Sequence, residues 1–295
     1  MIEKRLIQWY AADAGVDLDI AEREVVLTYV MKVLSDRGLL SLLAFKGGTA
    51  IRKIFLGGQG RFSLDLDFTM VNDVAPEEFV LDLVGALHNE EYYGIRFEIP
   101  PQDYYANVDS CGAVVTYQHG WVTNGKFSIQ VSFRAKLILP IKPVAFIPER
   151  YFQWLGIEPP TVPTLDIHEI IGEKIRATAQ RSRIRDLYDL HQFTTLRFER
   201  GVVRRIAIIK CWETNYALDP VNFLSELSDR QYDWADLSRL IKHSKSLTPS
   251  AIFEKIRQNY RFLTEMSPEE AILAGDAYKR ERKVYEKLVG SLRKG

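Results

Sequence analysis

The sequence has little cysteine, no long apolar run and no net charge. Cys111 and Cys211 are its two cysteines, and no Cys-x-x-Cys or histidine cluster accompanies them. A disulfide framework and a structural zinc site are therefore not expected, as in a reducing cytoplasm. No stretch approaches the ~20 apolar residues of a membrane span, and charges interrupt residues 1–6. We expect a cytoplasmic protein with no membrane partner.

The charges balance over the whole chain but cluster locally. With 39 basic and 39 acidic residues, the net charge is zero, which argues against coating nucleic acid through bulk charge. The local clusters leave two interpretations open, a nucleic-acid groove or solvated helix faces. They comprise Lys174, Arg176, Arg181, Arg183, Arg185, Arg200, Arg204, Arg205, Lys279, Arg280, Arg282, Lys283 and Lys287.

Length and proline placement predict two domains. A chain of 295 residues that is 46% hydrophobic can bury one large core or two modest ones. Prolines are densest between residues 140 and 163, and such a stretch is typical of a boundary. We expect an α+β domain over residues 1–160 and a helical domain over residues 161–295.

The periodicity of the apolar residues supports that division. Short alternating segments favour antiparallel strands over a doubly wound parallel sheet, whereas nearly every segment after residue 166 has a helical period. The predicted first-domain elements are helices over 21–43 and 76–88 and strands over 95–99, 103–108, 113–118 and 127–134. The predicted second-domain helices cover 166–181, 185–196, 199–215, 219–228, 233–243, 249–264 and 268–290.

A glycine-rich turn in the first domain has the features of a phosphate site. Residues 42–46 predict a short strand, Gly47 and Gly48 a tight turn, and residues 49–55 the start of a helix. Free backbone N–H groups at a helix start bind phosphate oxygens, and glycine lets a phosphate come close.

Two carboxylates follow that turn. The alternation over residues 63–68 predicts a half-buried strand, so Ser63, Asp65 and Asp67 would leave one face of it. Paired carboxylates suit Mg²⁺ or Mn²⁺, which retain positions for substrate phosphates. Either pattern alone is common, but strand, glycine turn, helix and carboxylate strand in this order favour a nucleoside triphosphate site.

A second block begins the helical domain. Asp166 with Glu169 three residues later predicts a capping box and a helix to about Arg181. Lys174 lies beside an apolar row, so it either snorkels to solvent or points inward to neutralise phosphate. Asp186 and Asp189 fall on the first turn of the next helix, where an Asp often serves as a cap.

Both blocks resemble a known family. Residues 45–53 with 61–68, and residues 169–177 with 181–190, are similar to motifs of the AbiEii/AbiGii toxin family, which includes the mycobacterial MenT toxins and is related to the DNA polymerase β superfamily. The likeness spans roughly residues 20–215. It implies a nucleotidyltransferase-like, polymerase β-type mixed sheet followed by a helical domain that contributes to a shared cleft.

The resemblance also implies roles for individual residues. It makes Lys174 and Asp189 catalytic together with the metal ligands Asp65 and Asp67, and leaves Asp186 as a cap or salt-bridge partner. In relatives, the hydroxyl that matches Ser63 can be phosphorylated through the antitoxin. The nucleotide-binding candidates are Lys46, Gly47, Gly48, Thr49, Arg61 and Ser63.

The implied activity is transfer of a nucleoside monophosphate from an NTP to an RNA acceptor. The expected acceptor is the 3′ end of tRNA and the expected outcome is blocked translation, by a bacterial toxin with a cognate antitoxin and a possible place in phage defence. Two alternatives stay open, a protein-directed NMP or phosphate transferase and a non-catalytic NTP-binding regulator.

One departure from the superfamily pattern concerns a third carboxylate. Polymerase β-like transferases place it on a later strand, and the matching strand here, residues 126–133, has Gln130 at the expected position and no acid. Either Asp189 takes over that role, or the second metal site is weak, or the protein binds nucleotide without transferring it efficiently.

Overall fold

The computed structural model describes residues 2–134, 136–243 and 248–293, and the chain divides into two units. The first unit comprises residues 2–137 apart from 135, Ile141–Leu165 and residues 239–243. The second comprises Ile138–Pro140, Asp166–Ser238 and residues 248–293. Each unit is described by itself below.

The first unit is built on a mixed sheet. The strands are β1 (Leu43–Lys46), β2 (Leu66–Met70), β3 (Glu91–Tyr92), β4 (Ile95–Glu98), β5 (Tyr104–Asn107), β6 (Ser110–His119), β7 (Val122–Ser132), β8 (Lys142–Ala145) and β9 (Thr161–Thr164). Their order in the sheet is β3-β4-β6-β7-β2-β1-β9-β8, with β5 paired to β6. The β2–β7 and β1–β9 pairs are parallel and the other pairs are antiparallel.

Five helices accompany this sheet in the described part of the first unit. They are α1 (Lys4–Ala14), α2 (Leu18–Asp36), α3 (Gly47–Ala50), α4 (Pro76–Leu87) and α5 (Arg150–Leu155). A π-helical turn, Ile51–Leu56, continues α3. The predicted helix over 21–43 is wrong at its end, because α2 stops at Asp36 and Gly38 has a left-handed φ of +77°.

The core of the first unit lies on one face of the long strands. In β7, Phe127, Ile129 and Val131 are buried while Lys126 and Gln130 are exposed, which is the period of two that a half-buried strand requires. The predicted antiparallel strands over 95–134 are confirmed. The α+β class is confirmed with them.

The second unit consists of helices joined by loops, and its described residues form no strand. Its helices are α6 (Ile167–Gln180), α7 (Ile184–Phe193), α8 (Arg200–Glu213), α9 (Pro220–Ser225), α10 (Trp234–Ser238), α11 (Pro249–Asn259), α12 (Pro268–Gly275) and α13 (Arg282–Arg293). The predicted single helix over 268–290 is wrong. Asp276 interrupts it, because its carboxylate accepts the N–H groups of Tyr278 and Glu281 and holds a turn there.

Two further predictions differ from the structure. The proline-rich stretch is not only a connection, since it contributes β8 and β9 to the sheet, where proline is tolerated toward an edge. The strand predicted over 63–68 starts at Leu66, so Ser63 and Asp65 precede it. Within the described ranges, no helix combines the length and apolarity needed to cross a membrane.

Candidate active site

Asp67 lies between two polar residues on neighbouring strands. In the antiparallel β1–β2 pair it faces Lys46, and in the parallel β2–β7 pair it is in register with Gln130. Residues directly opposite in an antiparallel pair project their side chains to the same face. A carboxylate thus stands between a cationic and an amide side chain, and Gln130 occupies the predicted place beside the carboxylate strand.

The turn after β1 presses its backbone against that carboxylate. Gly47 has φ +75°, and a Cβ added there would lie 2.2 Å from Oδ2 of Asp67. Only glycine fits such a position, since any side chain would meet the carboxylate and the backbone is left-handed. Helix α3 begins here, two residues earlier than predicted.

The second glycine of the turn faces a guanidinium and a hydroxyl. A Cβ added at Gly48 would lie 2.6 Å from Nη2 of Arg61 and 2.9 Å from Oγ of Ser63. Both side chains are buried, with Ser63 only 7% exposed, and Arg61 donates to the carbonyl of Phe62 at 3.1 Å. The structure therefore brings Arg61 and Ser63 to the glycine turn.

Asp65 is held by two hydrogen bonds at its entry to β2. The backbone N–H of Ser128 on β7 donates to Oδ1 of Asp65 at 3.1 Å. The hydroxyl of Thr49 donates to the carbonyl of Asp65 at 2.5 Å, and Thr49 is fully buried. Thr49 thus braces the carboxylate segment from α3, and one oxygen of the Asp65 carboxylate already has a partner.

The carboxylates of Asp65 and Asp67 determine which kind of cation could bind beside the glycine turn. Among the described residues, no group of three or more His, Cys, Asp or Glu side chains could hold a metal ion. Asp65 and Asp67 supply carboxylate oxygens, which Mg²⁺ prefers, and Mg²⁺ commonly binds through one or two carboxylates together with substrate phosphates and water. The donor set fits a cation that arrives with a phosphate ligand.

The residues after the glycine turn belong to a buried charge cluster that the sequence did not predict. Arg52 is 2% exposed, and its Nη1 donates to the carbonyls of Gly57 at 3.3 Å and Gly60 at 2.7 Å. Its Nε lies 3.3 Å from Oε1 of Glu24. The guanidinium therefore fixes the loop that leads to Arg61.

Glu24 also binds a second cation. Lys53 Nζ lies 2.8 Å from Oε1 of Glu24 and donates to the hydroxyl of Thr28 at 2.8 Å. Although burial acts to raise it, Lys53 and Arg52 lower the pKa of Glu24. The available signal was the apolar run that follows Glu24 on α2, because an acid buried beside such a run needs a partner.

Lys174 lies in the second unit and binds two carboxylates. Its Nζ is 2.8 Å from Oδ1 of Asp186 and 2.7 Å from Oδ2 of Asp189, and its side chain is 13% exposed. The side chain is therefore turned into the second unit and not to solvent, and its role toward phosphate stays a prediction. Asp189 is buried on α7, so both residues of the second block share one ion-pair cluster.

Asp186 is a salt-bridge partner and not a cap. Arg181 Nε donates to its Oδ2 at 2.7 Å, and Arg183 occupies the N-cap position of α7. Burial acts to raise the pKa of Asp186, but Lys174 and Arg181 outweigh it and hold that pKa well below the usual range.

The predicted N-cap at Asp166 is confirmed, but Glu169 does not close a capping box at the start of α6. Asp166 caps the helix by accepting the N–H of His168 at 2.9 Å. Glu169 is fully buried, accepts the N–H groups of Ile138 and Leu139, and lies 2.7 Å from Nζ of Lys210. Glu169 therefore anchors residues 138–139 to α6 instead of closing a box.

Much of the predicted basic cluster is engaged in ion pairs. Arg185 binds Asp236 through two hydrogen bonds of 2.7 and 2.5 Å, and Arg204 Nε lies 3.0 Å from Oε2 of Glu270. Together with the Arg181 pair, these contacts assign a structural role to several arginines between residues 181 and 205.

Comparisons with known proteins agree with the two blocks. A family model described as nucleotidyl transferase AbiEii toxin, type IV toxin–antitoxin system, matches residues 29–266, a range that includes both blocks. Among solved structures, the MenT4 nucleotidyltransferase toxin from Mycobacterium tuberculosis is similar, with a TM-score of 0.83 and 25% identity over 99% of this chain and 100% of that chain. No curated protein matches the chain.

Proposed function

Because this chain belongs to the AbiEii family of nucleotidyltransferase toxins of type IV toxin–antitoxin systems, we propose that it transfers a nucleoside monophosphate from an NTP to an RNA acceptor. The proposed acceptor is the 3′ end of tRNA and the proposed compartment is the cytoplasm. The observation that carries the proposal is the close approach of Gly47 to the carboxylate of Asp67, which places a glycine turn directly beside a proposed metal ligand.

The first unit supplies the nucleotide-binding side of the mechanism. Backbone N–H groups at Gly47 and Gly48 donate to triphosphate oxygens, and Arg61 and Lys46 contribute positive charge beside them. Thr49 holds Asp65 in place through its hydrogen bond. The acceptor hydroxyl attacks the α-phosphorus, the bond from that phosphorus to the β-phosphate oxygen breaks, and pyrophosphate leaves.

Asp65 and Asp67 are the proposed ligands of Mg²⁺ or Mn²⁺. A bound divalent ion would neutralise phosphate charge and orient the reacting oxygens. The chain contributes two carboxylates, one of them fixed by Ser128, and Gln130 where a third acid would stand. The remaining coordination positions are left to phosphate and water.

We extend the proposal to Lys174 and Asp189 on the strength of the sequence blocks. The ammonium of Lys174 would stabilise charge that develops on the phosphates. Asp189 would orient the acceptor or assist loss of its proton. Within the second unit, the ion pairs with Asp186 and Asp189 hold Lys174 in one position.

A cognate antitoxin is the proposed regulator, acting through Ser63. A phosphate on this hydroxyl would add negative charge beside the glycine turn and repel a triphosphate. Because Ser63 is 7% exposed, the modification requires the Gly48 side of the turn to move. Ser63→Glu should abolish toxicity in a growth assay while Ser63→Ala stays active; a fully toxic Ser63→Glu variant would remove Ser63 from the site.

Transfer to labelled products tests the main proposal. The protein is incubated with each α-labelled NTP, Mg²⁺ or Mn²⁺ and total tRNA, and the products are separated on a denaturing gel. We expect label on tRNA with pyrophosphate release, and loss of both with Asp67→Asn. Label on protein instead would favour the protein-directed alternative, and binding of NTP without pyrophosphate release would favour the regulator.

A further inference from the structure

An exposed turn in the second unit carries an aromatic side chain and two cations together. It joins α12 to α13, and its residues Tyr278, Lys279 and Arg280, here called the Tyr278 turn, are all exposed. Tyr278 is 77% exposed, a high value for so large a ring. The guanidinium carbon of Arg280 lies 5.0 Å from the centre of that ring.

Hydrogen bonds to the buried residue Asp276 fix the backbone of the Tyr278 turn. The carboxylate of Asp276 accepts the N–H groups of Tyr278 at 3.1 Å and Glu281 at 2.8 Å, and the indole N–H of Trp212 at 2.8 Å. Lys279 has φ +56°, a left-handed conformation that costs roughly 1–2 kcal/mol for a residue with a side chain. Surrounding contacts must maintain such a conformation, so the turn presents its side chains from a defined backbone.

The cations of the turn differ from those of the adjoining helix. Arg282 Nε lies 3.3 Å from Oε1 of Glu286, and Lys287 is paired with Glu269. Neither the Lys279 nor the Arg280 side chain is ion-paired with a carboxylate of the described residues, and these side chains contact the rings of Trp212 and Tyr278. Their charges remain available to an anion from solution.

Two cations beside an exposed aromatic ring indicate the chemical class of ligand that the Tyr278 turn would bind. Lys and Arg without carboxylate partners suit phosphates, and an exposed aromatic ring next to an arginine suits an unpaired base that can stack. A solvated helix face would need neither the left-handed lysine nor the exposed ring. An acidic protein segment would use the cations but leave the exposed part of the Tyr278 ring in water.

We propose that the Tyr278 turn binds the RNA acceptor, with Lys279 and Arg280 on its phosphates and Tyr278 stacked on an unpaired base. This inference rests on the proposed function, since it names a surface for the RNA substrate.

Two double variants with the same loss of charge test the phosphate contacts. Lys279→Ala/Arg280→Ala removes the two cations of the turn, and Arg282→Ala/Lys287→Ala removes two that are ion-paired. In tRNA binding without NTP, measured by fluorescence anisotropy over a salt series, we expect the first double variant to bind about tenfold more weakly. Its slope of log affinity against log salt should fall by about two units. The second double variant should change little, and equal weakening by both would mean bulk charge and overturn the proposal.

Substitutions at Tyr278 distinguish the binding of RNA from the binding of polyanions in general. Tyr278→Ala should weaken tRNA binding about tenfold, and Tyr278→Phe should retain it, because the ring and not the hydroxyl stacks. Heparin, which has charges but no bases, should bind wild type and Tyr278→Ala equally. Equal tRNA binding by wild type and Tyr278→Ala would overturn the stacking assignment.

Labelling of tRNA by wild type and by the Lys279→Ala/Arg280→Ala variant shows whether the RNA surface or the proposed function is wrong. If wild type transfers label to tRNA and the Lys279→Ala/Arg280→Ala variant does so with unchanged KM, the surface is wrong and the function stands. If wild type neither binds nor labels tRNA, both are wrong.

Discussion

The glycine turn of the first unit and the Lys174 cluster of the second unit are organised by different forces. At the turn, backbone atoms approach a carboxylate so closely that no Cβ fits at Gly47. In the cluster, one ammonium lies between two buried carboxylates at 2.8 and 2.7 Å. The first arrangement depends on steric exclusion, and the second depends on charge balance.

This difference determines how each region should respond to change. Steric exclusion is independent of pH and salt, and it fails when a single methyl group is added. A buried ion pair tolerates small changes of shape, but it is strongly destabilised when one partner is removed or loses its charge. Substitutions that separate these two behaviours test both assignments.

The largest effect is expected from Gly47→Ala. The added methyl group would lie 2.2 Å from Oδ2 of Asp67, so the carboxylate or the turn must shift. Displacement of a reacting group by about 1 Å can cost on the order of 10²-fold in rate. We expect at least that loss of nucleotide transfer, measured as pyrophosphate release at saturating NTP.

Gly38→Ala is the matched control for Gly47→Ala. Gly38 has a similar φ of +77°, but nothing lies within 4 Å of an added Cβ. Both variants should lose roughly 1–2 kcal/mol of stability from the left-handed backbone. Only Gly47→Ala should lose activity, and equal activity of the two variants would contradict the steric account of the turn.

Lys174→Ala should have an effect on activity of comparable size. Loss of one electrostatic stabiliser typically reduces kcat by on the order of 10²–10³, whereas Arg176→Ala removes a neighbouring cation that donates to Gln180 on the surface and should change kcat little. Single-turnover rates of both variants check this, with thermal melting as the control for folding. Similar small losses at the two positions would show that Lys174 serves structure alone.

Asp186→Asn should reveal the charge balance of the cluster through pH. Lys174 and Arg181 hold the pKa of Asp186 below its ordinary value, so its stabilising effect is present above the unfolded pKa of about 4 and is lost as pH falls toward the folded pKa. We expect wild type to exceed Asp186→Asn by about 1.5–3 kcal/mol in free energy of unfolding at pH 7. The difference should shrink below about pH 4, as measured by urea melts.

Asp109→Asn is the control for Asp186→Asn, because it removes the charge of an exposed ion pair. Asp109 binds Arg134 at 2.6 Å in the first unit, but both side chains are largely exposed, and such pairs contribute little. The free energy of unfolding of Asp109→Asn, measured by urea melts, should equal that of wild type across the same pH range. A pH dependence as large as that of Asp186→Asn would mean that burial does not strengthen the Lys174 cluster.

The sequence predicted the local elements better than the contacts between them. The strand before Gly47, the strands over 95–134 and the α6 helix follow from periodicity and turn residues. The Arg52–Glu24–Lys53 cluster does not, because it joins Glu24 on α2 to Arg52 and Lys53, which lie more than twenty residues later in the chain. Pairing over such distances leaves no period in the sequence.

The helix predicted over 268–290 failed for a related reason. Its apolar spacing continues past Asp276, and the chain turns there because the Asp276 carboxylate accepts the N–H groups of Tyr278, Glu281 and the Trp212 indole. Similarly, Thr49 was predicted to bind nucleotide, and its hydrogen bond to Asp65 was not visible in the motif. The residue types at the site were predictable, but their partners depend on tertiary contacts.

The smallest effect is expected from Gln130→Glu, which would add a third acid to the glycine-turn region. Gln130 is exposed and in register with Asp67 on the neighbouring strand, so a carboxylate there could join Asp65 and Asp67 in binding a divalent ion. We expect the Mg²⁺ concentration for half-maximal transfer to fall about threefold to tenfold, which is at most about 1.4 kcal/mol. Asn124→Asp adds the same charge six residues earlier on β7 and should leave that concentration unchanged. An equal change in both variants would indicate a general effect of charge, and no change in Gln130→Glu would mean that two carboxylates already satisfy the ion.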